Sequence, residues 1–127
     1  LGAALGLSSL ALADWWAQVD AWRATDCLKY DRTNTEVIKP QAVVEKLWEL
    51  TKDEETYITS DVGQHQMWAA QSLQLLGGQR FLTSGGMGAM GFALPAAIGA
   101  SFATAQPVVM IAGDGGFQLN IQELQTI

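Results

Sequence analysis

Three short glycine-containing segments carry residue types that can bind a phosphate group and a metal ion. They are Asp61-Val62-Gly63-Gln64-His65-Gln66, Gly86-Met87-Gly88-Ala89-Met90-Gly91 and Gly113-Asp114-Gly115-Gly116. Glycine lets a backbone approach a ligand without a Cβ in the way. A carboxylate such as that of Asp114 supplies the hard oxygen ligand that Mg²⁺ prefers, usually together with phosphate oxygens. These types and spacings indicate a phosphorylated ligand held with a metal.

The third segment follows the apolar run Val108–Ala112. In the interpretation that we favour, Asp114 at the strand end binds Mg²⁺ and the N–H groups of Gly115 and Gly116 approach the same phosphates. An ordinary tight turn with a capping aspartate has the same residues. On this segment alone both interpretations stay open.

The second segment matches the dinucleotide pattern GxGxxG through Gly86, Gly88 and Gly91. Asp114 lies at about the distance at which that pattern places a ribose-binding acid. A nicotinamide or flavin dinucleotide site is therefore a rival on spacing. Against it, the preceding strand is short, and a ribose-binding acid needs no glycines on both sides.

In the first segment, Gly63 permits a sharp exit from a strand, and Gln64 and His65 place donors at a helix start. An isolated histidine is more often a solvated or core side chain than a ligand. However, all three segments follow predicted strands and precede predicted helices. Ligands of open parallel sheets bind at the carboxyl ends of the strands, so one shared anionic ligand is favoured.

The elements that must position these loops alternate along the chain. Apolar spacing predicts helices from Asp14 (as the cap) through Trp22, from Pro40 to Leu50, from His65 to Leu75, from Phe92 to Ala103 and from about Phe117. Strands are predicted at Thr56–Ser60, Phe81–Thr83 and Val108–Ala112, the last covered on both faces. This alternation predicts an α/β fold with a doubly wound parallel sheet.

Composition excludes several classes of function. The 127 residues include 13 acidic and 7 basic ones, for a net charge of −6. A protein that binds nucleic acid through its phosphates needs a basic face, so no nucleic-acid partner is expected. A single cysteine, Cys27, excludes an intramolecular disulfide, and His65 without a second cysteine excludes a closed zinc site.

Two apolar stretches bear on membranes and secretion. Phe81–Gly113 has no charged residue, but prolines and glycines interrupt it and would leave backbone groups without partners in lipid. Leu1–Ala13 ends like a signal-peptide cleavage site, yet it has no initiator methionine and no basic start. We expect neither a membrane span nor secretion, and an amphipathic or buried helix at Leu1–Ala13.

Three strands make an incomplete sheet with an unpaired apolar edge. The last predicted helix reaches Ile127 without a residue that would end it. These features predict a fragment of a longer protein, truncated at both ends.

Three runs of the sequence resemble one enzyme family. DVGQHQMWAAQ (61–71), TSGGMGAMGFALPAAIGAS (83–101) and GDGGFQLNIQEL (113–124) resemble, in order and spacing, the catalytic subunit of acetohydroxyacid synthase (acetolactate synthase). The resemblance implies that residues 1–39 are the end of a middle domain and a linker. Residues 40–127 would then be the first part of a C-terminal thiamine-diphosphate-binding domain.

The resemblance also implies roles for individual residues. Asp114 would be a Mg²⁺ ligand, and Met90 would wedge under the cofactor and hold its two rings in a V. The diphosphate would be contacted by Gly63, Gln64, His65, Gly115 and Gly116, and the aminopyrimidine would be met by the backbone of Gly88, Ala89 and Met90. Packing of Met87 and Met90 in the core is the alternative to the wedge.

The implied reaction decarboxylates pyruvate and joins its two-carbon unit to a second 2-keto acid, pyruvate or 2-ketobutyrate. The full enzyme would also hold FAD, form a homodimer or tetramer and pair with a regulatory small subunit. The activating Glu and an Asn pair that completes the metal site would lie outside this sequence. The piece alone is therefore expected to be inactive, with no catalytic residue of its own.

Other interpretations of the function stay open on the sequence alone. One is another thiamine-diphosphate enzyme, such as a 2-keto acid decarboxylase, an oxidase or a glyoxylate carboligase. Another is a non-catalytic dinucleotide-binding module. A bacterial cytoplasm is the expected compartment, with a plastid or a mitochondrion as the alternatives.

Overall fold

A computed structural model describes residues 12–34 and 36–127. The chain divides into two compact units, Leu1–Asp31 and Arg32–Ile127. Most of the apolar stretch at 1–13, for which a helix is expected, lies outside the described residues. The three glycine loops all belong to the second unit.

Three parallel strands form the sheet of this second unit. They are β1 (Tyr57–Ser60), β2 (Arg80–Thr83) and β3 (Val108–Ile111), in the order β2-β1-β3. Ser60 at the end of β1 pairs with Thr83 on one side and with Ile111 on the other. All three strands therefore end at the same edge of the sheet, and the loops that follow them meet there.

The helices lie where the alternating pattern predicts them, with different ends. They are α1 (Ala13–Ala24), α2 (Pro40–Thr51), α3 (Gln64–Ser72), α4 (Ala93–Ala103) and α5 (Asp114–Leu119), followed by a 3₁₀ helix at Ile121–Thr126. Helices α3 and α4 are the crossovers that return the chain to the next parallel strand. The predicted parallel α/β fold is confirmed.

The centre of the core is β1 with α4 against it. Ile58 is fully buried, as is Thr59, whose hydroxyl donates to the carbonyl of Ala93 at the start of α4. Side chains alternate along a strand, so Ile58 points to the opposite face from Thr59. The remaining buried apolar residues are Val44, Ala69, Ala93, Leu94, Ile98 and Ala100. Small residues dominate α4 because it lies close to the sheet.

Gln79 anchors the opposite edge of the sheet, just before β2. Its side chain is 5% exposed, and its Nε2 donates to the carbonyl and the hydroxyl of Thr51 at 2.9 and 3.1 Å. Its Oε1 accepts from the N–H of Leu76. This buried polar residue joins α2 to β2 far from the glycine loops.

Several details of the prediction are wrong. Asp14 does not cap α1: the cap residue is Leu12, Asp14 lies in the first turn, and no side-chain bond caps the helix. Helix α3 ends at Ser72 and not at Leu75. Strand β3 is half-buried along its length, because it is an edge strand of the described sheet with one strand neighbour.

The start of α5 is also earlier than predicted. The helix begins at Asp114 and not near Phe117, and the N–H of Phe117 donates to the carbonyl of Gly113 at 3.0 Å. Asp114 therefore lies in the first helical turn, where the helix dipole favours an acidic side chain.

No helix in the described part of the chain combines the length and the apolar character needed to cross a bilayer. The uncharged stretch Phe81–Gly113 is instead divided among parts of β2, a loop, α4 and β3.

Burial of β1 predicts a large loss of stability from one substitution. Ile58→Ala leaves a cavity in the core, and we expect it to lower the free energy of unfolding by about 2–5 kcal/mol. Ile38→Ala is the matched control: Ile38 is 79% exposed, so the change should stay within about 0.5 kcal/mol. Urea denaturation followed by tryptophan fluorescence measures both. Equal losses would contradict the assignment of β1 to the core.

Candidate functional site

A cavity of about 430 Å³ lies at the carboxyl edge of the sheet. Its lining comes from the loop and helix after β1, from the loop after β2 and from the loop and helix after β3. The lining residues are Val62, Gly63, Gln64, His65, Trp68, Met90, Gly113, Asp114, Gly115 and Gly116. The strand order reverses here, since β2 and β3 lie on opposite sides of β1. Ligands of open α/β sheets bind at such reversals.

Two helices begin at this cavity. Helix α3 follows Gly63 and helix α5 follows Gly113, and no side-chain hydrogen bond caps either one. The first N–H groups of a helix have no partner within it and lie at the positive end of its dipole. Two such ends at one cavity favour an anionic ligand such as a phosphate.

His65 lies between these two loops. A Cβ on Gly63 would lie 2.8 Å from His65 Cε1, and a Cβ on Gly113 would lie 3.4 Å from the same atom. Both glycines therefore let the backbone approach the imidazole ring closely. The Nε2 atom of His65 is buried and has no hydrogen-bond partner among the described residues. A buried polar atom without a partner is costly, so a ligand group that supplies one is favoured.

Asp114 gives the cavity its charge. Of the described residues that line it, Asp114 is the sole acidic one, and none is a lysine or an arginine. The Asp114 side chain is exposed and is thus free to coordinate a cation. Within residues 12–34 and 36–127, no group of three or more His, Cys, Asp or Glu side chains is placed to hold a metal ion. A cation bound here needs ligand oxygens besides that carboxylate.

Met90 lies on the cavity wall, 56% exposed. A Cβ on Gly115 would lie 3.8 Å from Met90 Cε, so the side chain reaches across to the GDGG turn. Met87 is 94% exposed. Core packing, the alternative considered for both methionines, is therefore wrong for this unit.

Gly88 and Ala89 lie beside the cavity and not among the residues that line it. Gly88 has a φ of +64°, and a Cβ there would lie 3.9 Å from Val62 Cγ1. The N–H of Ala89 donates to the Ser84 hydroxyl at 3.1 Å. The structure thus brings seven of the nine predicted cofactor-binding residues to the cavity wall and leaves these two adjacent.

Asp61 is a residue that the sequence analysis did not select. It is 1% exposed, and its carboxylate accepts hydrogen bonds from the N–H groups of Val62 (2.7 Å) and Gly91 (2.9 and 3.1 Å). A Cβ on Gly116 would lie 2.6 Å from Asp61 Oδ2. An acid immediately after a buried strand was the available signal for it.

Asn120 is a second residue that the sequence analysis missed. Its Nδ2 donates to the carbonyl of Gly91 at 2.7 Å. Asn120 follows α5, 29 residues from its partner in sequence, so no local pattern could indicate this contact.

The geometry contradicts the dinucleotide interpretation of the GxGxxG match. In that fold the acid follows the strand next to the one that precedes the glycines. Here the glycines follow β2 and Asp114 follows β3, and β1 lies between them. Nor do the glycines open the helix directly, since α4 begins at Ala93 with Phe92 as its cap.

Comparison with known proteins agrees with the motif-based resemblance. The family profile "Thiamine pyrophosphate enzyme, C-terminal TPP binding domain" matches residues 61–127. The chain is 55% identical over 116 residues to the acetolactate synthase isozyme 3 large subunit of Escherichia coli, covering 91% of this chain and 20% of that protein.

Other relatives carry the same name. Identity is 48% to the acetolactate synthase large subunit of Haemophilus influenzae, over 94% of this chain and 21% of that one. Identity is also 48% to the chloroplastic acetolactate synthase 2 of Brassica napus, over 93% of this chain and 18% of that protein. The chain spans about a fifth of the length of these relatives. Because the profile matches the 67 residues from 61 to 127, the chain belongs to the thiamine pyrophosphate enzymes and contains part of their C-terminal TPP binding domain.

Proposed function

We propose that this chain is the cofactor-binding part of an acetolactate synthase and binds thiamine diphosphate with Mg²⁺ in the cavity at the carboxyl edge of the sheet. The observation that carries the proposal is the junction of two uncapped helix N-termini, the Asp114 carboxylate and the unpartnered His65 Nε2 around one cavity. Relatives of the same name at 44–55% identity support the choice of enzyme.

The residues at the cavity fit a diphosphate. Gly63, Gln64 and His65 would contact it from the α3 side, and Gly115 and Gly116 from the α5 side. His65 Nε2 would gain a phosphate oxygen as its partner, which removes the cost of a buried polar atom without a hydrogen bond. The helix N–H groups would supply further donors.

The charge of the cavity supports a place for Mg²⁺ in this proposal. A diphosphate placed beside the Asp114 carboxylate would meet electrostatic repulsion, because no lysine or arginine is found among the described residues of the lining. A divalent cation bound by Asp114 and by phosphate oxygens removes it. One carboxylate plus phosphates is a usual Mg²⁺ ligand set.

The loop after β2 would position the organic part of the cofactor. The backbone of Gly88, Ala89 and Met90 would meet the aminopyrimidine ring, and the Met90 side chain would support the bend between the two rings. Its exposure and its position on the cavity wall support this role. The bound cofactor supplies the carbanion chemistry, and the protein supplies geometry and metal.

For the whole enzyme we propose decarboxylation of pyruvate and transfer of its two-carbon unit to pyruvate or 2-ketobutyrate. We also propose that the whole enzyme binds FAD, contains an activating Glu, forms a homodimer or tetramer and pairs with a regulatory small subunit. Within this chain, residues 1–39 would be the end of a middle domain and a linker, and residues 40–127 would belong to the cofactor domain. The bacterial cytoplasm is the proposed compartment.

Removal of the metal-binding carboxylate tests the site. In the full-length enzyme, Asp114→Ala should weaken Mg²⁺-dependent binding of thiamine diphosphate by at least about tenfold, because a charged ligand to the cation is lost. Asp53→Ala removes an exposed acid outside the cavity and should change binding less than about twofold. Titration of the cofactor at fixed Mg²⁺ measures both. An unchanged affinity of Asp114→Ala for thiamine diphosphate would show that Asp114 does not bind the metal.

Product analysis tests the reaction. The full-length enzyme, supplied with pyruvate, thiamine diphosphate and Mg²⁺, should release CO₂ and acetolactate in equal amounts. Omission of Mg²⁺ should abolish the product, since none of the described residues that line the cavity is a lysine or an arginine that could replace the cation. Acetaldehyde as the main product would instead identify a decarboxylase. Acetyl phosphate, formed when inorganic phosphate and O₂ are also supplied, would identify an oxidase.

A further inference from the structure

Two side chains beside the cavity have no part in the proposed contacts with the cofactor. They are Asp61, which follows β1, and Asn120, which follows α5. Both hold the same residue, Gly91, which ends the loop that carries Gly88, Ala89 and Met90.

Asp61 holds the N–H of Gly91 with both carboxylate oxygens, at 2.9 and 3.1 Å. The carboxylate is 1% exposed and forms no ion pair with another described residue. A buried charge is costly unless hydrogen bonds satisfy it. The bonds from Gly91 and Val62 therefore fix the carboxylate and, with it, the end of the loop.

Asn120 holds the carbonyl of Gly91 at 2.7 Å. The φ of Gly91 is +82°, a conformation that other residues rarely adopt, and a Cβ there would lie 2.8 Å from Asn120 Nδ2. Both the backbone conformation and the close approach of the amide require glycine.

We propose that Asp61 and Asn120 are positioning residues that clamp Gly91 and so set the place of Met90 on the cavity wall. The clamp joins three parts of the site. Asp61 comes from the β1 exit, Gly91 from the loop after β2 and Asn120 from the end of α5. The Asp61 carboxylate also lies against Gly116, within the segment that carries Asp114. This inference rests on the proposed function for its effect on the cofactor, but the clamp itself can be measured without cofactor.

The variants for the test are Asp61→Asn and Asn120→Ala in the full-length enzyme. Asp61→Asn keeps the shape but removes the charge and can turn an amide donor towards the N–H of Gly91. Asn120→Ala removes the donor to the Gly91 carbonyl. Asn120 is only half-buried, so we expect Asn120→Ala to fold. It therefore tests the proposal even if Asp61→Asn does not fold.

We expect each variant to raise the concentration of thiamine diphosphate at half-saturation about tenfold, because a hydrogen bond that holds the loop is lost. The KM for pyruvate should change less than about twofold. The double variant should be little worse than the poorer single variant, since both side chains hold the same residue. If the double variant raised the half-saturating cofactor concentration by the product of the two single effects, the side chains would act independently and the clamp would be refuted.

Two control variants separate positioning from general stability. Gln79→Ala removes a buried polar side chain at the opposite edge of the sheet, and Asn34→Ala removes an asparagine that accepts from two backbone N–H groups away from the site. Both should lower the melting temperature without changing the cofactor requirement. An equal change of the cofactor requirement in Gln79→Ala would overturn the proposal.

Hydrogen exchange in the cofactor-free enzyme makes the two proposals separable. Exchange of the Gly91 amide should accelerate about tenfold in Asp61→Asn, because its acceptor is weakened. Acceleration together with an unmodified enzyme that binds no thiamine diphosphate would support the clamp and refute the proposed function. Unchanged exchange in a folded variant would refute the clamp, whatever the enzyme binds.

Discussion

The buried carboxylate of Asp61 is the interaction on which the geometry of the site depends. A charge removed from water must be satisfied by donors within the protein, and the donors here are the N–H groups of Val62 and Gly91. One donor is its neighbour in sequence and the other is 30 residues away. Satisfying this one group therefore fixes the distance between the end of β1 and the loop after β2.

The topology of the sheet makes this constraint effective. β1 is the central strand, with β2 and β3 paired to it in register. The loops after all three strands therefore begin at the same edge of the sheet. The short strands alone leave the loop ends free to move. Contacts across the loops, from Asp61 to Gly91 and from Asn120 to Gly91, remove that freedom. The cavity is thus shaped by polar contacts between loops at the carboxyl edge of the sheet.

Local patterns in the sequence were enough to predict the parallel α/β fold and most of the cavity wall. Strand, glycine turn and helix follow one another closely, so these patterns alone assign Gly63, His65 and Asp114 to one sheet edge. The start of α5 was misplaced because Asp114, Gly115 and Gly116 are weak helix formers, and the first turn of α5 depends on contacts outside the helix. Asp61 and Asn120 were missed because their partner is distant in sequence.

The two uncapped helix ends and the unpartnered His65 Nε2 have a consequence for how long the protein survives in a cell. In the proposed function, an anion that fills the cavity would supply hydrogen-bond partners to these groups. A ligand that binds the folded chain alone stabilises it by mass action, by about 2.7 kcal/mol at a hundredfold excess over its dissociation constant. Scarcity of the cofactor would therefore expose the empty protein to proteolysis, and its abundance would follow the supply of the small molecule that it uses.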